Sequence, residues 1–252
     1  MSLTVLVTGA SAGFGRAIAE RFVRDGHRVI AAARRRDRLE ALGQALGPAL
    51  LPFVLDMNDR HAIASLPDSL PEGWREVDVL VANAGLALGI SPAQEALLSD
   101  WEQMVATNVT GLMQTVHALL PGMVVRDRGH VVTLGSVAGD YPYPGGNVYG
   151  ATKAFVRQFV LNLKADLVGR NVRVTDIEPG LCGGSEFSRV RLGDDAKAAR
   201  IYEGTVPLTP EDIAESVAWV VGLPKHVNIN RIELMPTCQA PGALVIRREE
   251  NG

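Results

Sequence analysis

Seven short apolar runs alternate with longer amphipathic segments along these 252 residues, and no other feature constrains the fold as tightly. The runs are Thr4–Val7, Arg28–Ala32, Leu50–Leu55, Val77–Val81, His130–Leu134, Val172–Ile177 and Ile229–Leu234. Helical patterns lie near 14–24, 37–46, 59–69, 99–125, 149–168 and 211–222. A strand that is apolar on both sides must be covered on both sides, and parallel sheets with helical crossovers do this. Such crossovers are right-handed. The expected fold is therefore α/β: one doubly wound parallel sheet of about seven strands with helices on both faces. No repeat or linker divides residues 1–252, so a single domain is expected.

Ligands of such sheets bind outside the carboxyl ends of the strands. Strand 1 runs into Thr8-Gly9-Ala10-Ser11-Ala12-Gly13-Phe14-Gly15 and then a helix. Glycines let a backbone turn tightly and approach a pyrophosphate, and a helix N-terminus favours its charge. The loop departs from G-x-G-x-x-G, because Ile18 stands where the third glycine would be. Gly9-Ala10-Ser11-Ala12-Gly13 also matches G-x-S-x-G, a hydrolase nucleophile elbow. Against that reading, no earlier strand supplies an oxyanion-hole loop, and His226 stands alone late in the chain. At the end of strand 2, Ala33-Arg34-Arg35 offers no acid for a ribose 2′-hydroxyl. Arginine there suits a 2′-phosphate, with Ser11 adding a hydroxyl, so NADP is the expected cofactor. Asp56, after strand 3, is placed to meet the adenine, and Asn83, after strand 4, to bring backbone close to the cofactor.

The last helical segment but one carries Tyr149 and Lys153, four residues apart and hence on one helix face. With four tyrosines and four lysines in the chain, chance gives about 0.06 such pairs. A free phenol titrates near ~10. An adjacent ammonium is expected to lower that value, making Tyr149 a general acid and base. Ser136, at the end of the fifth apolar run, adds a hydroxyl.

Composition narrows the partners. Net charge is −3 and Arg34-Arg35-Arg36 is the only cationic run, which argues against nucleic acid. No apolar stretch approaches the ~20 residues of a membrane span. Residues 1–7 lack the cationic start of a signal peptide, and two cysteines, Cys182 and Cys238, are too few for a disulfide framework. A cytoplasmic protein acting on a small molecule is expected, with no metal site.

The T-G-x-x-x-G-x-G loop, Asn83-Ala84-Gly85, Asn108, Ser136, Tyr149-x-x-x-Lys153 and Pro179-Gly180 occur in order over some 180 residues. This set resembles the short-chain dehydrogenases/reductases, which have a Rossmann-type fold. Ala84 to Gly89, Gly145 to Phe159, Asp176 to Leu181 and His226 to Asn230 resemble the NADP-dependent 3-hydroxy acid dehydrogenases within that family. The resemblance implies reversible hydride transfer between NADP and the 3-hydroxyl of a small 3-hydroxy acid such as serine, allo-threonine or 3-hydroxypropionate. It implies that Tyr149 is the acid/base, that Lys153 tunes it and holds ribose hydroxyls, and that Ser136 bonds the substrate oxygen. Asn108 would hold a water linking Lys153 to solvent. The implied cofactor contacts are Gly9, Ser11, Gly13, Phe14, Gly15, Arg34, Arg35, Asp56, Met57, Asn83, Tyr149, Lys153, Pro179, Gly180, Leu181, Ser185 and Phe187. Ala82 replaces a frequent asparagine, Ser185 a frequent threonine, and Cys182 an aliphatic residue; Cys182 reads as a small buried hydrophobe.

Acid specificity needs a cation for the carboxylate. Arg189 and Arg191 lie in the segment near 181–205, expected to be a mobile substrate loop, and Arg191 is the choice. Alternatives are a carbonyl reductase for uncharged ketones or aldehydes, and a non-catalytic NADP sensor. The family habit and the broad apolar surface of 99–125 and 149–168 imply a homotetramer, with the apolar tail 241–246 reaching across an interface.

Overall fold

The computed structural model describes residues 2–242, so residues 243–246 of the apolar tail lie outside the described part. The strands are β1 (Thr4–Thr8), β2 (Arg28–Ala33), β3 (Leu50–Val54), β4 (Val79–Ala82), β5 (Gly129–Leu134), β6 (Val172–Pro179) and β7 (Arg231–Leu234). The main helices are α1 (Gly13–Arg24), α2 (Arg36–Leu46), the short α3 (Arg60–Ala64) and α4 (Leu66–Ser69), α5 (Leu98–Val105) and α6 (Leu112–Val125). They continue with α7 (Asn147–Asp166), the short α8 (Phe187–Leu192) and α9 (Asp195–Arg200), and α10 (Pro210–Gly222). The strands form one parallel sheet in the order β3-β2-β1-β4-β5-β6-β7.

Strand alternation builds two cores. Val5, Val7, Val29, Ala31, Val79 and Val81 face α1, α2 and α10, where Ile18, Phe22, Leu39 and Val217 are buried. Leu6, Ile30, Leu80 and Val131 point the other way, onto Ile63, Leu66, Val116 and Val156. Each strand is therefore apolar on both sides, as the continuous runs require. The order reverses between β1 and β4, which opens a crevice at their carboxyl ends.

Two helical segments differ from expectation. The pattern at 59–69 is split into α3 and α4. Pro67 has no N–H and fits only a first helical turn, so the helix restarts around it. The pattern at 99–125 is interrupted by a π-helical segment, Ala106–Gly111. Within that segment the Asn108 carboxamide leaves the helix to bond elsewhere, and a π turn accommodates the departure. The segment near 181–205, expected as a loop, contains α8 and α9.

Candidate active site

The glycine loop is held from behind by strand β4. Asn83 Nδ2 donates to the Thr8 carbonyl at 2.8 Å. The Thr8 hydroxyl accepts the backbone N–H groups of Asn83 and Ala84 at 3.0 and 2.9 Å. Gly9 has φ +69°, and a Cβ there would come 2.8 Å from Asn83 Nδ2. A Cβ on Gly15 would run into the Gly9 carbonyl oxygen. Both glycines are required by the close approach of loop, helix and Asn83. The loop walls a cavity that extends to Arg34 and Arg35 on one side and to Asp56, Met57 and Asn58 on another. Its third side is Tyr149, Lys153, Ser185 and Phe187.

Beside β2, Arg35 Nε and Nη2 donate to Ser11 Oγ at 3.1 and 2.9 Å. Ser11 thus faces a guanidinium, the setting for a phosphate, rather than the histidine a hydrolase nucleophile needs. Glycines that admit a close backbone and this arginine–serine pair fit an adenine dinucleotide with a 2′-phosphate. Asp56 Oδ1 accepts the Asn58 N–H at 3.0 Å, an Asx turn at the cavity edge.

The chemistry-bearing groups come from three elements. Tyr149 and Lys153 lie in α7, both buried. Lys153 Nζ donates to the Leu134 carbonyl at 2.6 Å, at the end of β5. Asn108 accepts the Leu86 N–H at 2.9 Å and donates to the Leu86 carbonyl at 2.8 Å and Thr152 Oγ1 at 3.1 Å. A Cβ on Gly85 would lie 3.3 Å from Asn108 Oδ1 and 3.6 Å from Lys153 Nζ, so both groups flank one glycine. Ser136 Oγ accepts the Ala138 N–H at 3.1 Å and donates to the Pro179 carbonyl at 3.5 Å.

Electrostatics correct one expectation. Burial pushes the Tyr149 phenol up rather than down; a hydrogen bond from Ser136 and the positive charge of Arg191 pull it back. The Lys153 ammonium is not among the main influences on the phenol. Its ammonium is drawn to the Leu134 carbonyl, 5.8 Å from the Tyr149 ring centroid, with Asp176 as its counter-charge. Burial lowers Lys153 to about 8 against the attraction of Asp176. Asp176 itself is raised by burial and accepts Thr133 Oγ1 at 2.6 Å; its neighbour Glu178 is pushed up to about 8 by burial and by Asp176.

Arg191 lies on a helix, α8, rather than in a loop. Its guanidinium carbon is 5.6 Å from the Tyr149 ring centroid and 5.2 Å from that of Tyr143, and Nε donates to the Gly89 carbonyl at 3.1 Å. Arg189 points elsewhere, to Glu186 and Asp195. Phe187, from the same helix, packs on Tyr149 with ring centroids 5.7 Å apart.

The sequence pattern of the short chain dehydrogenases matches residues 3–192. The chain belongs to the short-chain dehydrogenase family. It is 59% identical over 247 residues to the NADP-dependent 3-hydroxy acid dehydrogenase YdfG of Salmonella typhi, covering 98% of this chain and 100% of that one. To the serine 3-dehydrogenase of Agrobacterium fabrum it is 50% identical, over 99% of this chain and 100% of that one. Among solved structures, the closed form of a serine dehydrogenase complexed with NADP+ superposes with a TM-score of 0.94 at 56% identity, covering 98% and 100% of the two chains.

In this short-chain dehydrogenase, then, the glycine loop, Arg34, Arg35, Asp56, Met57, Asn83, Tyr149, Lys153, Ser185 and Phe187 converge on or around one cavity. Gly15, Asn108 and Ser136 do not line it and stand behind the loop, behind Leu86 and beside Tyr149. Pro179, Gly180 and Leu181 also lie off its walls, where the Leu181 N–H meets Gln239 Oε1 at 2.6 Å. Burial raises the Cys182 thiol to about 12, which matches a small packed side chain rather than a nucleophile. Sequence reasoning missed Glu186 and Arg38, which join Arg35 in one ion-pair cluster. It also missed Asp176 beside Lys153; a buried acid inside an apolar strand was the available signal.

Proposed function

We propose that this protein is an NADP-dependent oxidoreductase that reversibly transfers hydride between NADP and the 3-hydroxyl of a small 3-hydroxy acid. The observation that carries the acid specificity is the Arg191 guanidinium, 5.6 Å from the ring of the buried Tyr149. A cation beside the phenol binds a substrate carboxylate and so brings the neighbouring hydroxyl to Tyr149. The relatives of 50–59% identity named for serine and 3-hydroxy acids support the same reading.

The glycine loop, with Phe14, would hold the pyrophosphate; Ser11, Arg34 and Arg35 the 2′-phosphate; Asp56, Met57 and Asn83 the adenosine side. Pro179, Gly180, Leu181, Ser185 and Phe187 would flank the nicotinamide, and Tyr149 and Lys153 its ribose. Bound there, NADP takes up or gives back hydride at its nicotinamide ring. The protein supplies the proton and the placement. Tyr149 takes the proton of the substrate hydroxyl in oxidation and returns it in reduction. Ser136 and Tyr149 bond the developing oxyanion. Burial keeps the phenol protonated, which suits it to donate in reduction. Oxidation needs the phenolate, and the positive charge of Arg191 stabilises it. Asn108 fixes the backbone at Leu86 beside Lys153, and we assign it the water that passes the proton onward.

A homotetramer in the cytoplasm belongs to the same proposal. Val105, Met113 and Leu161 are exposed apolar side chains of α5, α6 and α7, the surface such an assembly would cover.

Initial rates with NADP⁺ against L-serine, L-allo-threonine, 3-hydroxypropionate and their methyl esters test the reading, with NAD⁺ as the control. The free acids turn over with NADP⁺, and Arg191→Ala raises their KM while leaving the esters unaffected. Esters turned over as well as acids, or an unchanged KM in Arg191→Ala, would instead favour a carbonyl reductase for uncharged substrates.

A further inference from the structure

Helix α8 carries two groups that face Tyr149, Phe187 and Arg191. Its N-cap residue, Glu186, belongs to a different neighbourhood. Glu186 Oε2 lies 2.7 Å from Arg35 Nη1, and Oε1 lies 3.0 Å from Arg38 Nη1 and 2.8 Å from Arg189 Nη2. Arg35 and Arg38 belong to the end of β2 and the start of α2, about 150 residues away in the chain. Between these attachment points runs the cavity, walled by the glycine loop below and by Ser185, Glu186, Phe187 and Val190 from α8 and its approach.

A carboxylate that ties one wall of a groove to the opposite edge closes the groove. We infer that Glu186 is a positioning residue that straps α8 across the cofactor groove, holding Phe187 and Arg191 against Tyr149 and retaining the dinucleotide. Arg35 joins the two tasks, since its Nε and Nη2 hold Ser11 while its Nη1 holds Glu186. The guanidinium proposed for the 2′-phosphate therefore also anchors the helix that faces the substrate. The carboxylate is ionised throughout the physiological range, because hydrogen bonds from Arg35 and Arg38 hold it below its usual value. The inference rests on the NADP reading in one respect only, the identity of the molecule retained.

Each of these pairs is partly exposed, so each contributes little alone and the effect comes from the network. The test compares Glu186→Gln, which keeps the shape and removes the charge, with Arg38→Ala and the double variant. NADPH release is followed by stopped-flow fluorescence on displacement by excess NADP⁺. Glu186→Gln is expected to release NADPH about tenfold faster and Arg38→Ala about threefold faster, the scale of partly exposed ion pairs. The double variant should match Glu186→Gln, because Arg38 acts only through the carboxylate. Release within twofold of wild type for Glu186→Gln, or additive effects in the double variant, would overturn the strap. Tryptic cleavage after Arg189 and Arg191 without any ligand reads it independently: the bonds should open faster in Glu186→Gln, and equal rates would count against it. A wild type that shows no NADPH signal would sink the cofactor reading and leave the proteolysis arm to judge the strap.

Discussion

Replacing Lys153 by methionine separates what the lysine costs the fold from what it does for the reaction. Lys153 is buried, and burial lowers it from 10.5 to about 8. Its folded value lies below its unfolded value, so the unfolded chain holds more protons between these limits and stability rises with pH there. The cost of burying the ammonium is fully present below pH 8 and gone above pH 10.5. Integrated from pH 7 to pH 9.5, the relief is about 2 kcal/mol. For a domain of this size that moves the melting temperature by about 4–8 °C. Methionine keeps a similar length and has no proton to lose. The gap in melting temperature between wild type and Lys153→Met should therefore shift by that amount, in favour of wild type, as buffers step from pH 7 to pH 9.5. The comparison cancels titrating groups remote from the lysine; Asp176 loses its counter-charge with the lysine, and Glu178, raised to about 8 in part by Asp176, responds with it. Activity should be lost at every pH. A gap that stays constant across the series would show that Lys153 titrates as an ordinary exposed lysine, and the account of its burial would fail.

Tyr149→Phe should bind NADPH as wild type does while kcat falls by about 10²–10⁴, the range of a lost general acid/base; near-normal turnover would exclude the role. Thr8→Val removes a buried acceptor from two backbone N–H groups, those of Asn83 and Ala84. It should cost about 2–4 kcal/mol and lower the melting temperature by about 5–15 °C, with Thr8→Ser far milder. Calorimetry showing a loss near zero would mean that water or a shifted loop satisfies both groups. Gly15→Ala forces a methyl against the Gly9 carbonyl and the Asn83 amide. Fluorescence titration should show NADPH affinity weakened by at least about tenfold, a displacement worth ~1.4 kcal/mol, and unchanged affinity would mean the loop gives way freely.

The sheet was legible because its strands are apolar on both faces, and only parallel strands under two layers of helix read that way. Their ends were less so. The run starting at Val77 becomes a strand only at Val79, and Asp78 just before it bonds the Thr4 N–H and Arg128 through its carboxylate. The break in 99–125 left no trace in the local pattern; Asn108 within it bonds to Leu86, 22 residues away in the chain. Spacing correctly put Tyr149 and Lys153 on one helix face. It could not say where the ammonium goes, because the Leu134 carbonyl that captures it belongs to another element. Glu186 was invisible for the same reason: its partners Arg35 and Arg38 precede it by about 150 residues. What periodicity reports is which way a side chain faces, and what it meets there is set by the tertiary fold.

The π-helical segment Ala106–Gly111 acts as a phase adjuster between two helices that look continuous in sequence. Each residue turns an α-helix by about 100°, so the wider turn resets the direction of everything after it. Upstream, Met104 of α5 packs in the cluster of Tyr149. Downstream, Leu112, Val116, Leu119 and Met123 of α6 face the sheet. At the end of the segment Gly111 passes so close to the Met57 backbone that a Cβ there would meet the Met57 carbonyl oxygen. Removing one residue between 106 and 111 would allow a regular helix, but only one of its two ends could then keep its partners. Most surface segments tolerate a change of length; this buried stretch does not, because its residue count aligns the side of the helix pair that packs on Tyr149 with the side that packs on the sheet.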